Sequence, residues 1–376
     1  MLRIGITGRH GFIGTHLYNT LGLYPDDFER IDFQKEYFED STALDAFVSN
    51  CDVIVHLAAM NRHSDAEVVY KTNIELVEKL IASLKRTQSQ AQVIMSSSSQ
   101  EERDNLYGKS KKEGRELLAQ WAKEANAAFT GMIIPNVFGP FGHPYYNSVI
   151  ATFSHQIANG ETPEIQIDGD LKLIYVGELV EEILKIIREN KSDELYNIAH
   201  TSEAKVSQLL HLIQNYKFQY QERGEIPTFN NTFELNLFNT YRCYMDIANY
   251  FPVKLTQHTD PRGSFVEVIR LGVGGQVSFS TTVPGITRGN HFHTRKIERF
   301  AVIKGKALIQ LRKIGTDDIL NFYLDGEEPA YVDMPIWYTH NIKNIGDDVL
   351  YTNFWINEFY NEHDADTYFE EVEKKV

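Results

Sequence analysis

Leu2-Arg3-Ile4-Gly5-Ile6-Thr7-Gly8-Arg9-His10-Gly11-Phe12-Ile13-Gly14 is the stretch on which the reading of the first half of the chain turns. A short apolar run over residues 2 to 7 is closed by Gly8, and residues 11 to 21 have helical character. Strand, glycine turn and helix therefore open the protein. Glycines at 8, 11 and 14 permit a tight turn and close backbone approach, in the context where a helix N-terminus can bind a pyrophosphate. A glycine triplet alone is also an ordinary turn. Asp32 adds to the nucleotide reading because it ends the next expected strand, at about the 20-residue distance where an acid can bind an adenosine ribose. A solvated strand-end carboxylate is the plainer account of the same residue.

Working outward, further strands are expected at 30–33, 53–57, 93–96 and 129–134, separated by helix-like stretches at 73–85 and 109–125. Strands alternating with helices imply an α/β fold with a doubly wound parallel sheet. Residues 179–188 and 206–216 read as later helices of the same domain. From about Tyr250 the pattern changes to short strand-like segments, at 264–270, 276–283, 300–304, 307–312, 321–324 and 349–355. Long helical patterns vanish there until the charged C-terminus. Many short strands at near-regular spacing suggest an antiparallel barrel or double-sheet jelly roll. The boundary falls near residues 244–254, giving domains at 1–245 and 253–376, with no internal repeat.

Composition fits two folded domains. At 376 residues the chain exceeds what one hydrophobic core usually supports, and 42% hydrophobic with 24% charged residues is ordinary for a globular protein. A formal charge of −15 argues against nucleic-acid phosphates or anionic lipid as partners and leaves small-molecule chemistry. The two cysteines, Cys51 and Cys243, lie in different expected domains and support neither a disulfide framework nor a thiolate metal site. The opening residues lack a signal-peptide pattern, and no stretch reaches the roughly 18 apolar residues that a membrane span needs. A cytoplasmic protein without a membrane anchor is expected.

Tyr107-Gly108-Lys109-Ser110-Lys111 places Tyr107 and Lys111 four apart, on one face of a helix. A neighbouring ammonium favours the phenolate, so Lys111 is expected to lower the Tyr107 pKa toward neutrality and ready it for proton transfer. Such a pair also occurs by chance on surface helices; coupling to a nucleotide loop gives it weight. Together, the loop and the pair resemble the extended short-chain dehydrogenase/reductase family, with its T-G-x-x-G-x-x-G and Y-x-x-x-K motifs and Rossmann-type sheet. His56-Leu57-Ala58-Ala59 resembles the strand end beside the cofactor, Thr72-Asn73 a helix start, and Val93 to Ser98 the strand carrying the catalytic hydroxyl. Pro135-Asn136-Val137-Phe138-Gly139-Pro140 and Tyr175-Val176-Gly177-Glu178-Leu179-Val180 resemble segments of the sugar-nucleotide members. The resemblance spans about residues 3 to 240. It implies Tyr107 as general acid, Lys111 on the nicotinamide ribose and Ser98 polarising the carbonyl. Cofactor contacts are implied from Gly8, Arg9, Gly11, Phe12, Ile13, Gly14, Asp32, Leu57, Ala58, Ala59 and Asn73, and a substrate contact from Asn136. The serine run lies only about nine residues before Tyr107, closer than is usual in the family, so which of Ser96 to Ser99 is catalytic stays open.

In the second half, Gly285, His291, His293, Glu298 and Gly305 have the spacing G-x5-H-x-H-x4-E-x6-G, and Pro335, His340 and Asn344 have P-x-G-x2-H-x3-N with Trp337 in place of the glycine. Both resemble the cupin motifs. On a strand His291 and His293 face one side, so His291, His293, Glu298 and His340 can converge as three imidazoles and a carboxylate. That set suits Zn²⁺, Fe²⁺, Mn²⁺ or Ni²⁺ without choosing among them. Metal-free polar groups of a barrel are the other reading. Asp260-Pro261-Arg262-Gly263-Ser264-Phe265-Val266-Glu267 and Thr287-Arg288-Gly289-Asn290-His291-Phe292-His293 further resemble deoxysugar 3,5-epimerase cupins. Epimerisation beside a ketone needs a base, an acid and an oxyanion stabiliser; a bound metal, or Arg288 with His293, could supply the stabiliser, His291 is a catalytic candidate, and Tyr338 could return a proton or serve as a core aromatic.

The whole arrangement resembles a family of capsular-polysaccharide enzymes that join these two domains. It implies a UDP-linked 2-acetamido-2,6-dideoxy-4-keto-hexose, C3 epimerisation in the cupin, and C4 reduction with NADPH to UDP-N-acetyl-6-deoxy-L-talosamine. It further implies one zinc ion per chain and a homodimer. Asp32 favours NAD by the ribose argument, whereas Arg9 could accept a 2′-phosphate; the resemblance points to NADPH. Two rivals remain: a 4-epimerase or dehydratase with tightly bound NAD and a dimerising cupin, and a non-catalytic NAD(P) sensor.

Overall fold

The computed structural model describes residues 1–374, which divide into two compact units: Met1–Thr152 with Ile167–Val206, and Phe153–Gln166 with the chain from Ser207 onward. In chain order the first 205 residues form β1 (Leu2–Thr7), α1 (Phe12–Leu21), β2 (Phe28–Ile31), α2 (Ser41–Ser49), β3 (Val53–His56), α3 (Ala66–Arg86) and β4 (Gln92–Ser98). There follow α4 (Leu106–Ala125), β5 (Phe129–Ile134), β6 (Asn136–Phe138), α5 (Val149–Ala158), β7 (Asp170–Tyr175), α6 (Val176–Arg188), β8 (Asp193–Asn197) and β9 (Ser202–Lys205). A six-stranded parallel sheet runs β2-β1-β3-β4-β5-β8. Strand order reverses between β1 and β3, the place where open α/β sheets leave a crevice at their carboxyl ends. Leu17, Leu21, Leu179 and Ile183 of α1 and α6 bury against Ile4, Ile6 and Val55 on one face. Phe47, Leu80, Leu118 and Trp121 of α2, α3 and α4 bury against Ile54, Val93 and Phe129 on the other. This is the doubly wound Rossmann-type architecture.

The elements form where the pattern placed them, with informative shifts. β2 occupies Phe28–Ile31 rather than 30–33, so Asp32 lies just past the strand. The reason is Phe33, which leaves the sheet to pack at 4.8 Å between ring centroids on Phe47 of α2. α4 starts at Leu106 rather than 109 because the Asn105 side chain accepts the Gly108 N–H at 2.7 Å, a cap that puts Tyr107 in the first helical turn.

In the second unit two five-stranded antiparallel sheets face each other. One runs Val253–Lys254, Ala330–Met334, Glu298–Lys304, Leu350–Ile356, Gln276–Thr282; the other Ile319–Asp325, Lys306–Lys313, Tyr338–Asn344, Thr287–Phe292, Tyr368–Phe369. Ala301, Val302, Ile309, Leu311, Val332 and Ile342 fill the space between, giving the cupin jelly roll. Strands at 330–334 and 338–344 were hidden from the alternation pattern because nearly every residue in them is buried. The charged C-terminus is not helical among the described residues. Buried Arg312 instead gathers the carbonyls of Glu371 and Val372 and the Glu370 carboxylate, holding that segment against the barrel.

The helix expected at 206–216 forms, but from Ser207 the chain packs within the second unit. Tyr220 donates to Asp333 at 2.7 Å, Arg242 to the Met334 carbonyl at 3.1 Å, and Asn239 to the Arg295 carbonyl at 3.0 Å. Beneath them Arg299 and Asp333 form a bidentate ion pair, both fully buried, with the guanidinium 3.7 Å over the Tyr331 ring.

Candidate functional sites

α2, α3 and α4 begin with side-chain caps from Asp40, Asp65 and Asn105, but α1 begins at Gly11 with none and has no acidic residue in its first turn. Its leading N–H groups, at Phe12 and Ile13, are left for a ligand, and the helix dipole favours an anion there. The glycine loop is set by sterics. Gly8 has φ +77°, and a Cβ on it would stand 2.8 Å from the Ala58 nitrogen. Leu57 N–H donates to the Thr7 carbonyl at 3.1 Å, so residues 57–59 lie beside the loop. Arg9 pairs with Asp32, and Arg9 and Arg30 approach the Tyr18 ring at 5.1 and 4.4 Å.

The chain of contacts continues to the acid–base residues. Buried Asn73 receives the Met60 N–H at 2.7 Å and donates at 3.0 Å to both the Met60 carbonyl and the Ser110 hydroxyl. Its amide thus ties the loop after β3 to α4. Gly108 lets α4 rest on the turn after β4, since a Cβ there would meet the Gln100 carbonyl oxygen at 2.1 Å. In β4 itself Ser96 and Ser97 are buried, Ser97 donating to Glu101 of the turn, which itself holds Arg115 in a buried ion pair at 2.9 Å. Ser98, at the carboxyl end of β4, is partly exposed and caps the turn by accepting the Gln100 N–H at 3.2 Å.

Lys111 is buried, and its pKa is pushed down to about 8 by that burial, with Glu101 opposing. Burial pushes the Tyr107 phenol up to about 12, with Tyr146 adding to the rise. The expected lowering of Tyr107 by Lys111 is therefore not what the fold produces. Lys111 acts instead on His56, whose pKa falls to about 3 through burial first and the lysine second, leaving a neutral ring hydrogen-bonded to Thr7 at 2.8 Å. The Asn136 amide donates to the Lys172 carbonyl at 3.1 Å.

In the barrel, His291, His293, Glu298 and His340 bring one ligand atom each to within 4.8 Å of one another. His291 pairs with His340 across neighbouring strands, and their rings are 4.6 Å apart. Glu298 Oε2 lies 3.0 Å from His293 Nε2 and 3.2 Å from His340 Nε2. Yet none of these three buried atoms has a partner in hydrogen-bonding geometry. Converging lone pairs with no mutual hydrogen bond are what a divalent cation would satisfy, so the residues fit a metal. Burial, then the neighbouring His340 and His293, push His291 down to about 4, keeping it a neutral ligand. Arg288 directs its guanidinium to Thr282 Oγ1 and the Thr281 carbonyl, both at 3.0 Å.

A Rossmann-type sheet with an open glycine loop and a Tyr/Lys pair defines the class, and the chain belongs to the NAD dependent epimerase/dehydratase family, whose model matches residues 4–199. A second model, Polysaccharide biosynthesis C-terminal domain, matches residues 258–368. The chain is 31% identical over 373 residues to the UDP-2-acetamido-2,6-beta-L-arabino-hexul-4-ose reductase of Pseudomonas aeruginosa, covering 98% of each. It resembles the crystal structure of capsular polysaccharide assembling protein CapF from Staphylococcus aureus with a TM-score of 0.63 and 32% identity, over 98% of this chain and 100% of that one. It is also 25% identical to spore coat polysaccharide biosynthesis protein SpsL of Bacillus subtilis, over 30% of this chain and 82% of that protein.

Proposed function

We propose that the chain reduces the C4 ketone of a UDP-linked 2-acetamido-2,6-dideoxy-4-keto-hexose with NADPH, after its barrel has epimerised C3, yielding UDP-N-acetyl-6-deoxy-L-talosamine for capsule synthesis. The reductase site lies within residues 1–245 and the epimerase-like cupin within 253–376; the working form is a cytoplasmic homodimer with one zinc per chain. The observation that carries this reading is that one chain holds both constellations and is matched end to end by a relative named as a keto-sugar reductase.

NADPH, bound at the glycine loop of the first unit, would supply the hydride for C4. Tyr107, kept protonated by burial, donates its proton to the oxygen as alkoxide character develops, and Ser98 polarises the same carbonyl. Lys111 binds the nicotinamide ribose. Arg9 and Arg30, stacked about Tyr18 beside Asp32, offer two guanidinium groups to a ribose 2′-phosphate and support NADPH over NADH. In the barrel, a metal held by His291, His293, Glu298 and His340 would supply charge stabilisation to the enolate oxygen. The C4 ketone acidifies C3–H, and Arg288 binds the substrate.

The test is incubation of the purified protein with the UDP-4-keto sugar and NADPH in D₂O. Stoichiometric NADPH oxidation with deuterium at C3 is expected. Sugar interconversion without net NADPH consumption would point instead to tightly bound NAD and a merely dimerising barrel.

A further inference from the structure

His293 and Glu298 are separated by residues 294–297, and a distant part of the chain receives every backbone N–H of that link. Asp366 Oδ1 accepts from Thr294 N–H, and Asp366 Oδ2 from Arg295 and Lys296 N–H, each at 3.0 Å. Asn357 Oδ1 accepts from Ile297 N–H at 2.8 Å. The Thr294 hydroxyl adds a fourth bond to the same Asp366 carboxylate at 2.7 Å. Asp366 is itself buried and sits at φ +40°, a left-handed backbone that turns its own carbonyl back onto His293 Nδ1.

We infer that Asp366 is the positioning residue of the barrel's His/Glu cluster: its carboxylate fixes the link between His293 and Glu298, while its carbonyl fixes the His293 ring. A carbonyl oxygen can only accept, so Nδ1 must carry a proton, and in the neutral ring Nε2 then presents its lone pair to the cluster. Partners of this kind set the tautomer and orientation of a ligating histidine. The two actions are coupled through one residue, because the carboxylate bonds that hold the 294–296 N–H groups also hold the carbonyl in place. Lys296 Nζ reinforces the arrangement by donating to the Ala365 carbonyl at 2.6 Å. The inference rests on the metal-binding reading of the cluster for its consequence, but the Nδ1 proton it assigns to His293 does not.

The test uses the full-length protein, with zinc alone as the probe, in wild type, Asp366→Ala, Asp366→Gly and Asp366→Asn. Asp366→Gly suits the left-handed backbone and so separates torsional strain from loss of the carboxylate. Zinc affinity by chelator competition is expected to fall about 10–100-fold in the Ala and Gly variants, the range for losing an outer partner of a metal ligand. Asp366→Asn, which retains one carbonyl acceptor, should lie between. A wild-type circular-dichroism spectrum reports that the variants fold, and NADPH binding in the first unit should be unchanged. Nitrogen-15 NMR of labelled histidine should find His293 as the Nδ1–H tautomer in wild type and as a mixture in Asp366→Gly. A Gly variant with wild-type zinc affinity and an unchanged His293 tautomer would overturn the inference. If wild type itself binds no zinc, the metal reading fails, and the tautomer comparison still decides the role of Asp366.

Discussion

Gly14→Ala sets two expectations against each other. Gly14 lies in the first turn of α1, where helix propensity alone makes alanine better by about 0.8–1 kcal/mol. Its backbone is not left-handed, so torsion offers no objection. Sterics reverse the sign: a Cβ there would stand 2.3 Å from the Gly8 carbonyl oxygen and 2.8 Å from Arg9 Cα, where ordinary contact begins at 3.4 Å. Both neighbours are backbone, and no rotamer change relieves them. The loop must lift by about 1 Å, at an overpacking cost of about 1–3 kcal/mol, so the net effect on stability is a loss of about 0–2 kcal/mol. The larger effect is on the cofactor. A shift of that size takes N–H···O bonds of about 2.9 Å out of range. Losing one such bond to a charged phosphate costs about 1.5–3 kcal/mol, or about 10–100-fold in NADPH affinity. Fluorescence titration with NADPH and a thermal melt read both quantities. Gly169→Ala is the control, because a Cβ there meets nothing within 4 Å. A Gly14→Ala protein more stable than wild type, with unchanged NADPH affinity, would refute the close packing of the glycine loop.

Tyr107→Phe should bind NADPH normally but reduce the keto sugar about 10²–10⁴-fold more slowly, while C3–H exchange in the barrel continues; near-normal reduction would remove Tyr107 as the acid. Lys111, depressed to about 8 by burial with Glu101 opposing, loses its ammonium as pH rises through that value. Reduction should therefore fall on the alkaline side of about pH 8, since His56 is already neutral and Tyr107 still protonated there; a pH–rate profile flat to the Tyr107 value near 12 would contradict this. Asp333→Asn leaves the buried Arg299 guanidinium without its counter-charge and should cost about 3–5 kcal/mol, read as a lower melting temperature. A chelator should lower the melting temperature of wild type but not of His340→Ala, and equal chelator effects on both would place the metal elsewhere.

What could be read from the sequence was local. The glycine loop is a strand–turn–helix within thirteen residues, and its chemistry follows from residues adjacent in the chain. His291 and His293 are two apart, and Glu298 five further on, so a single bend converges them. The error over Tyr107 arose because four-residue spacing places two side chains on one helix face but does not say which way a long lysine reaches. Here the lysine's charge bears on His56 at the end of β3 and is not among the influences on the phenol. Asp366 was out of reach for a different reason. Its partners lie 70 to 73 residues back in the sequence, and nothing in Ala365-Asp366-Thr367 marks a carboxylate destined for three backbone N–H groups. The buried Glu101–Arg115 pair beneath Ser97 is similar: both residues are ordinary helix-surface types until tertiary packing encloses them.

Trp337 shows how a motif can depart from its pattern without losing its geometry. The cupin pattern has glycine at this position, and the backbone gives the reason: φ is +61°, the left-handed region, three residues before His340. A side chain there costs about 1–2 kcal/mol. Trp337 offsets that cost by stacking on Phe292, with ring centroids 5.5 Å apart and planes at 30°, and by being almost fully buried. An aromatic pair contributes about 0.5–1.5 kcal/mol beyond the area it buries, so the two effects come close to cancelling. The Trp337 N–H also donates to the His293 carbonyl at 2.8 Å, a backbone bond that any residue in this conformation would make. The bond links the turn before His340 to the strand end carrying His293. The motif's glycine therefore serves a conformation, and the histidines keep their places because tryptophan reaches that conformation by another route.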